Sequence, residues 1–178
     1  MGVLQRIRDW WQVHRPPTSW HKQVPEYSQE DLKDIANRPE LIEDPVLGTI
    51  YDNGPGLWYT DDFEFLPDLP VVNLSVPGRA QGTTDHARST VADLRARYAE
   101  LKPYLLDELY RAQSLDPSDR EFHDWGKQVQ LVSIGIGDPG SPIDLELVFH
   151  VPAAGRMHGH DWIIQLHEWH VIHANYAG

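Results

Sequence analysis

Histidine is the residue type whose placement first suggests chemistry in this sequence. Six of its ten histidines lie between residue 150 and the end of the chain: His150, His158, His160, His167, His170 and His173. Imidazole is the commonest metal ligand and titrates near neutral pH. Side chains two residues apart on a strand share one face. One hypothesis is therefore a zinc-binding protein or metal-dependent hydrolase that uses His158, His160, Asp161 and His167.

The surrounding sequence favours the opposite interpretation. The chain has no His-Glu-x-x-His motif, because His167-Glu-Trp-His170 is one residue too short. It also lacks a Gly-x-Ser-x-Gly motif, and it has no cysteine to act as a nucleophile or thiolate ligand. We therefore predict no catalytic residue, no metal and no cofactor, with the histidines solvated or hydrogen-bonded on a polar sheet face. The sequence leaves enzymatic activity open and favours a non-enzymatic role.

A second group of residues combines carboxylates with aromatic side chains. Asp61, Asp62, Glu64 and Asp68 lie among Trp58, Tyr59, Phe63 and Phe65. Catalysis would need a cleft in which two carboxyl groups have different pKa values, and nothing in the sequence shows a cleft. An ordinary solvated strand face over buried aromatic residues is one alternative. Because acidic residues around aromatic anchors suit a cationic protein partner, we predict a partner-binding surface formed by Trp58, Tyr59, Asp61, Asp62 and Glu64.

The charge distribution bears on the class of partner. The formal net charge is −12, and residues 1–24 carry four cationic residues and one acidic residue, a net of +3, which leaves −15 for the remainder. Such a body repels phosphate backbones, so we expect no binding to nucleic acid. No secretory signal or spanning apolar run is present. We therefore expect a cytoplasmic protein without stable membrane insertion, with a membrane-peripheral role of residues 1–15 as an alternative.

Helical periodicity predicts the element that organises the chain. Thr83 or Thr84 can cap a long helix whose apolar residues recur at three- and four-residue spacing: Ala87, Val91, Leu94, Tyr98, Leu101, Leu105 and Leu109. Pro103 falls inside this pattern and predicts either a kink or two helices in tandem.

Strand patterns lie on both sides of this helix. Before it, residues 44–51 and 57–65 predict a hairpin with a bulge near Asp61-Asp62, and residues 71–76 a third strand. After it, residues 128–136 and 143–150 predict two strands, followed by a hairpin that turns near Glu168. Ser28 and Asp31 resemble a capping box of a short helix. The sequence thus predicts an α+β fold with antiparallel strands before and after the long helix, an N-terminal amphipathic helical arm (residues 1–24) and one domain (residues 25–178).

The order of these elements resembles that of known proteins. Asp44-Pro-Val-Leu-Gly48 opening a hairpin, the aromatic Leu57-Trp-Tyr59 strand, the long helix and a closing strand pair after a histidine-bearing loop together resemble small bacterial domains of unknown function. Several of those domains are immunity proteins of polymorphic or contact-dependent toxin systems. The resemblance covers residues 40–178. It implies a cytoplasmic protein-binding domain that neutralises a toxin by covering its active surface.

Overall fold

The computed structural model describes residues 28–112, 128–151 and 160–177. The predicted arm of residues 1–24 lies outside these ranges. The described residues form two helices, α1 (Gln29–Asn37) and α2 (Asp85–Ala112). They also form nine strands: β1 (Leu41–Asp44), β2 (Gly48–Asp52), β3 (Leu57–Phe63), β4 (Val72–Arg79), β5 (Gly82–Thr83), β6 (Gln130–Ile136), β7 (Leu145–Val151), β8 (His160–His167) and β9 (His170–Ala177). The predicted α+β class is confirmed.

The strands form one sheet in the order β1-β2-β3-β4-β6-β7-β8-β9, and the short β5 pairs with β4. All neighbours are antiparallel except β4 and β6, which run parallel with Leu74 opposite Ile134. This parallel pair was not predicted. It arises because the chain leaves β4 through a 28-residue helix and returns beside it, and a helical crossover brings the next strand back in the same direction.

The start of α1 is fixed by its own first residues. The Ser28 hydroxyl accepts a hydrogen bond from the Asp31 backbone N–H at 3.1 Å, and the Asp31 carboxylate accepts one from the Ser28 N–H at 3.1 Å. These two bonds satisfy amides that would otherwise have no partner in the first helical turn. The predicted capping box is confirmed.

Helix α2 buries all seven apolar residues that predicted it. Thr84 caps it, because its hydroxyl accepts a hydrogen bond from the Ala87 N–H at 3.1 Å. The alternative of two tandem helices was wrong, since one helix runs through Pro103. Proline leaves the carbonyl of Ala99 without its helical donor. Both residues are exposed, so water can reach that carbonyl.

The sheet has one buried face and one open face. On the face toward α2, the fully buried residues include Ile50, Trp58, Leu74, Ile134, Leu147 and Ile164. Side chains alternate between faces along a strand, so the intervening residues lie on the other side, which we call the open face. One row of paired residues crosses it from β1 to β9: Leu41, Tyr51, Tyr59, Ser75, Gly135, Glu146, Gln165 and His173. Neither described helix is long and apolar enough to cross a membrane.

Candidate partner-binding surface

A buried arginine anchors the strands that carry the predicted acidic residues. The Arg38 side chain has no exposed area. It donates hydrogen bonds to Asp34 at 2.6 Å, Asp52 at 2.7 Å, and the carbonyl oxygens of Gly78 at 3.1 Å and Leu57 at 2.5 Å. The planar guanidinium suits this arrangement because its five donors point in fixed directions. Arg38 therefore joins the end of α1 to β2, β3 and β4.

A buried carboxylate fixes the turn between β1 and β2. Asp44 accepts hydrogen bonds from the Thr83 hydroxyl at 2.5 Å, from Arg88 Nε at 3.0 Å and from two backbone amides in the turn. Burial alone would raise the pKa of Asp44, but these donors favour its charged form and together hold the pKa below its ordinary value. The turn is thus tied to β5 and to the first turn of α2.

The structure takes Trp58 out of the predicted binding surface. Its side chain is fully buried, with Nε1 donating to the Arg79 carbonyl at 3.1 Å and the Arg38 guanidinium carbon 4.3 Å from the ring centroid. The predicted bulge explains this placement, because the β3–β4 register shifts between Thr60 and Phe63. The shift lets Trp58 share the core face with Phe63. Trp58 cannot contact a partner.

Tyr59 and Asp61 belong to the open face. Tyr59 is half-buried, and burial and then the charge of Asp61 raise the pKa of its phenol. Tyr51 lies opposite Tyr59 and is 45 % exposed, and Leu41 lies opposite Tyr51 and is 46 % exposed. Two tyrosines and a leucine therefore make a continuous stripe across three strands, with the exposed Asp61 beside it.

Asp62 and Glu64 line a separate groove of about 370 Å³ between the β1–β2 turn and α2. The Thr60 hydroxyl donates to Asp62 at 2.6 Å. Arg95 also lines this groove, but its guanidinium donates to the carbonyl oxygens of Glu64 and Phe65, both at 2.9 Å. Both carboxylates are exposed. The five predicted residues thus occupy three environments: the core, the open face and this groove.

The surface is more acidic than the five predicted residues indicated. Residues 39–78, which we call the acidic segment, contain eight carboxylates and no Lys, Arg or His. Asp44 and Asp52 pair with Arg88 and Arg38. The other six carboxylates are exposed: Glu40, Glu43, Asp61, Asp62, Glu64 and Asp68. A count of charges along the chain could have found Glu40 and Glu43, but only the strand register shows that Leu41 and Tyr51 lie beside Tyr59.

Two of the candidate metal ligands, Asp161 and His167, do not come together. Asp161 pairs with His150, with Oδ1 and Nδ1 2.8 Å apart, whereas His167 Nδ1 lies 3.2 Å from Asp144 Oδ2. Asp161 and His167 are at opposite ends of β8, about 20 Å apart at the usual rise of a strand, so one ion cannot bind both. His158 lies outside the described residues, as does the side chain of His160. Among the residues that the structure describes, no three His, Asp or Glu side chains could hold a metal ion.

Comparison with protein-family models, with curated proteins and with solved structures found no match to this chain.

Proposed function

We propose that this protein is a non-enzymatic protein-binding domain whose acidic segment binds a basic surface of its partner. The observation that carries this proposal is the group of six exposed carboxylates in a stretch without a single cationic residue. Unpaired like charges repel one another and destabilise the folded chain. A cationic partner would remove that repulsion, and it would be steered to the surface by the long-range field.

The stripe of Leu41, Tyr51 and Tyr59 supplies the short-range part of the interaction. Tyrosine is enriched among the residues that dominate binding energy at interfaces, because a large ring is buried at little cost in side-chain entropy. Tyr51, Tyr59 and Leu41 are held in line by the strand pairing beneath them. A partner can therefore bury them without reordering the backbone. Carboxylates at the rim then select for positive charge around this apolar centre.

The most concrete form of the proposal is a toxin-neutralising immunity protein. Toxins that attack nucleic acid need a basic cleft to bind phosphate, and a domain body with a net charge of −15 competes with that substrate for the same cleft. This step rests on the resemblance of residues 40–178 to immunity proteins and on the acidic surface. Co-expression with a toxin domain from the adjacent gene tests it, because only cells that also produce this protein should survive.

Two matched triple variants test the surface itself. One neutralises the predicted site, with Asp61→Asn, Asp62→Asn and Glu64→Gln. The other makes the same change in net charge at exposed residues elsewhere, with Glu100→Gln, Asp107→Asn and Asp138→Asn. The association rate with the partner should fall on the order of tenfold for the first triple at low salt and much less for the second. Equal effects of the two triples would refute the assignment of this surface.

Dissociation rates test whether Tyr51 and Tyr59 contribute to binding. Tyr51→Ala or Tyr59→Ala should speed dissociation about 30-fold, which corresponds to a hot-spot loss of about 2 kcal/mol. Tyr104→Ala is the matched control, since Tyr104 is 38 % exposed but lies on α2. If Tyr104→Ala weakened binding as much as the other two variants, the open face would not be the interface.

A further inference from the structure

A cavity of about 350 Å³ lies between the first half of α2 and the turn from β8 to β9. Its strand wall comes from β7, β8 and the turn into β9, whereas the acidic segment forms β1 to β4 at the other end of the sheet. The helix contributes residues at positions i, i+3, i+4 and i+7, and the strands supply the opposite wall. The lining residues are His86, Ser89, Thr90, Asp93, Asp144, Leu145, Leu166, Glu168 and Trp169. Its volume is in the range of sites that bind small molecules.

The turn that closes this cavity is conformationally costly. Glu168 and Trp169 both have positive φ, 48° and 66°, as a two-residue hairpin turn requires. Asn and Gly normally fill these positions because other residues are strained at positive φ. Asp144 helps to hold the turn, since its carboxylate accepts the Glu168 backbone N–H at 2.6 Å. The turn thus places a carboxylate and an indole at the cavity although the backbone favours neither residue.

The charged residues that line the cavity are acidic. Three carboxylates line it, from Asp93, Asp144 and Glu168, and none of the described lining residues is Lys or Arg. The nearby Arg97 lies over the Trp169 ring at 4.4 Å from its centroid. His86 Nε2 is enclosed and has no hydrogen-bond partner among the described residues.

We propose that this cavity binds an organic cation of the alkylammonium or guanidinium class. The carboxylates of Asp93, Asp144 and Glu168 accept its N–H donors, while the partly exposed Trp169 ring packs against its carbon chain. A bare metal ion fits poorly, since no three carboxylate or imidazole groups of the described residues converge closely enough to hold one. A Lys or Arg side chain of a protein and a free amine share this chemistry. The inference is independent of the acidic segment and its partner.

Titration of the full-length protein with n-butylammonium and n-butylguanidinium tests the proposal, with n-butanol and Mg²⁺ as comparisons. Binding is followed by the Trp169 indole resonance, assigned from the Trp169→Phe spectrum. We expect saturable shifts for at least one of the two cations. Glu168→Gln and Asp93→Asn should each weaken that binding at least fivefold. Asp138→Asn, at an exposed residue outside the cavity, should leave it unchanged.

Two otherwise neutral peptides, one with a single Lys and one with Ala in its place, distinguish a protein side chain from a free amine as the source of the cation. A Lys peptide that binds at least tenfold more tightly than n-butylammonium identifies a protein side chain, and tighter binding of the free amine identifies a small molecule. Either result supports the cation site. The proposal is overturned by the absence of saturable binding of both cations and of the Lys peptide at about 10 mM. Equal binding of n-butanol, or full binding retained in Glu168→Gln and Asp93→Asn, would overturn it as well.

Discussion

Replacing Arg38 by methionine removes the buried guanidinium and the hydrogen bonds that it donates but keeps most of the side-chain volume. The Asp34 side chain is only 4 % exposed. It would keep a hydrogen bond from the Ala80 N–H but lose its charged partner. Removing one partner of a buried ion pair costs about 3–5 kcal/mol, since the remaining charge is uncompensated. At roughly 2–4 °C per kcal/mol for a domain of this size, we expect the melting temperature to fall by about 6–20 °C.

Thermal and urea unfolding, followed by circular dichroism, measure this change. Arg38→Lys keeps the charge but loses the planar set of donors, so its stability should lie between those of the wild type and Arg38→Met. Adding Asp34→Asn to Arg38→Met should recover about 1–3 kcal/mol relative to the sum of the single effects, because the stranded charge is then gone. Additive effects, or a loss below about 1 kcal/mol for Arg38→Met, would refute the idea that a compensated buried charge holds α1 to the sheet.

Four further substitutions probe other parts of the fold. Asp44→Asn should lower the free energy of unfolding by about 2–4 kcal/mol at pH 7. Because the folded pKa of Asp44 lies below its unfolded value, this difference should be constant above about pH 5 and shrink as the pH falls through the folded pKa, as urea titrations at several pH values would show. Gly78→Ala places a Cβ within 2.9 Å of the β5 backbone, so a loss of about 2–3 kcal/mol is expected. Gly135→Ala, whose nearest neighbouring atom is 3.4 Å away, should cost clearly less, and similar melting temperatures for the two variants would contradict this. Pro103→Ala restores a donor to the Ala99 carbonyl and should raise stability by about 2 kcal/mol; an unchanged melting temperature would count against it.

The parts of this fold that depend on neighbours in sequence were predictable. The Ser28 cap needs only a residue three positions away, and the buried stripe of α2 repeats at the spacing of one helical turn. In both cases the physical interaction spans fewer than about five residues. The final hairpin, turning at Glu168 and Trp169, also followed from local strand patterns.

The side of the sheet on which Trp58 lies also follows from the local sequence. Trp58 and Phe63 are five residues apart, so a regular strand would place them on opposite faces, and a bulge near Asp61 is needed for both to be buried. A bulge moves residues on its two sides onto the same face, so the same inference places Trp58 in the core with Phe63 and Phe65. The sequence therefore contained the information that removes Trp58 from the binding surface.

Other features depend on distant residues and could not be predicted from one sequence. Arg38 contacts Leu57 and Gly78, which are 19 and 40 residues away, and no local pattern marks an arginine as buried. The stripe of Leu41, Tyr51 and Tyr59 requires the register of three strands. The cavity at the β8–β9 turn requires that α2 pack against a hairpin formed much later in the chain.

The parallel pairing of β4 with β6 has a consequence for the order in which the chain folds. Each antiparallel neighbour pair comes from consecutive strands, and hairpins of this kind form in about 1–10 μs. In contrast, Asn73 and Ser133 meet across 60 residues, and closing a loop of that length costs about 3–4 kcal/mol in chain entropy. We therefore expect the pairing of β4 with β6, which joins strands β1–β4 to strands β6–β9, to be the rate-limiting step of folding. In stopped-flow refolding, Ile134→Val should then slow folding while the unfolding rate changes little.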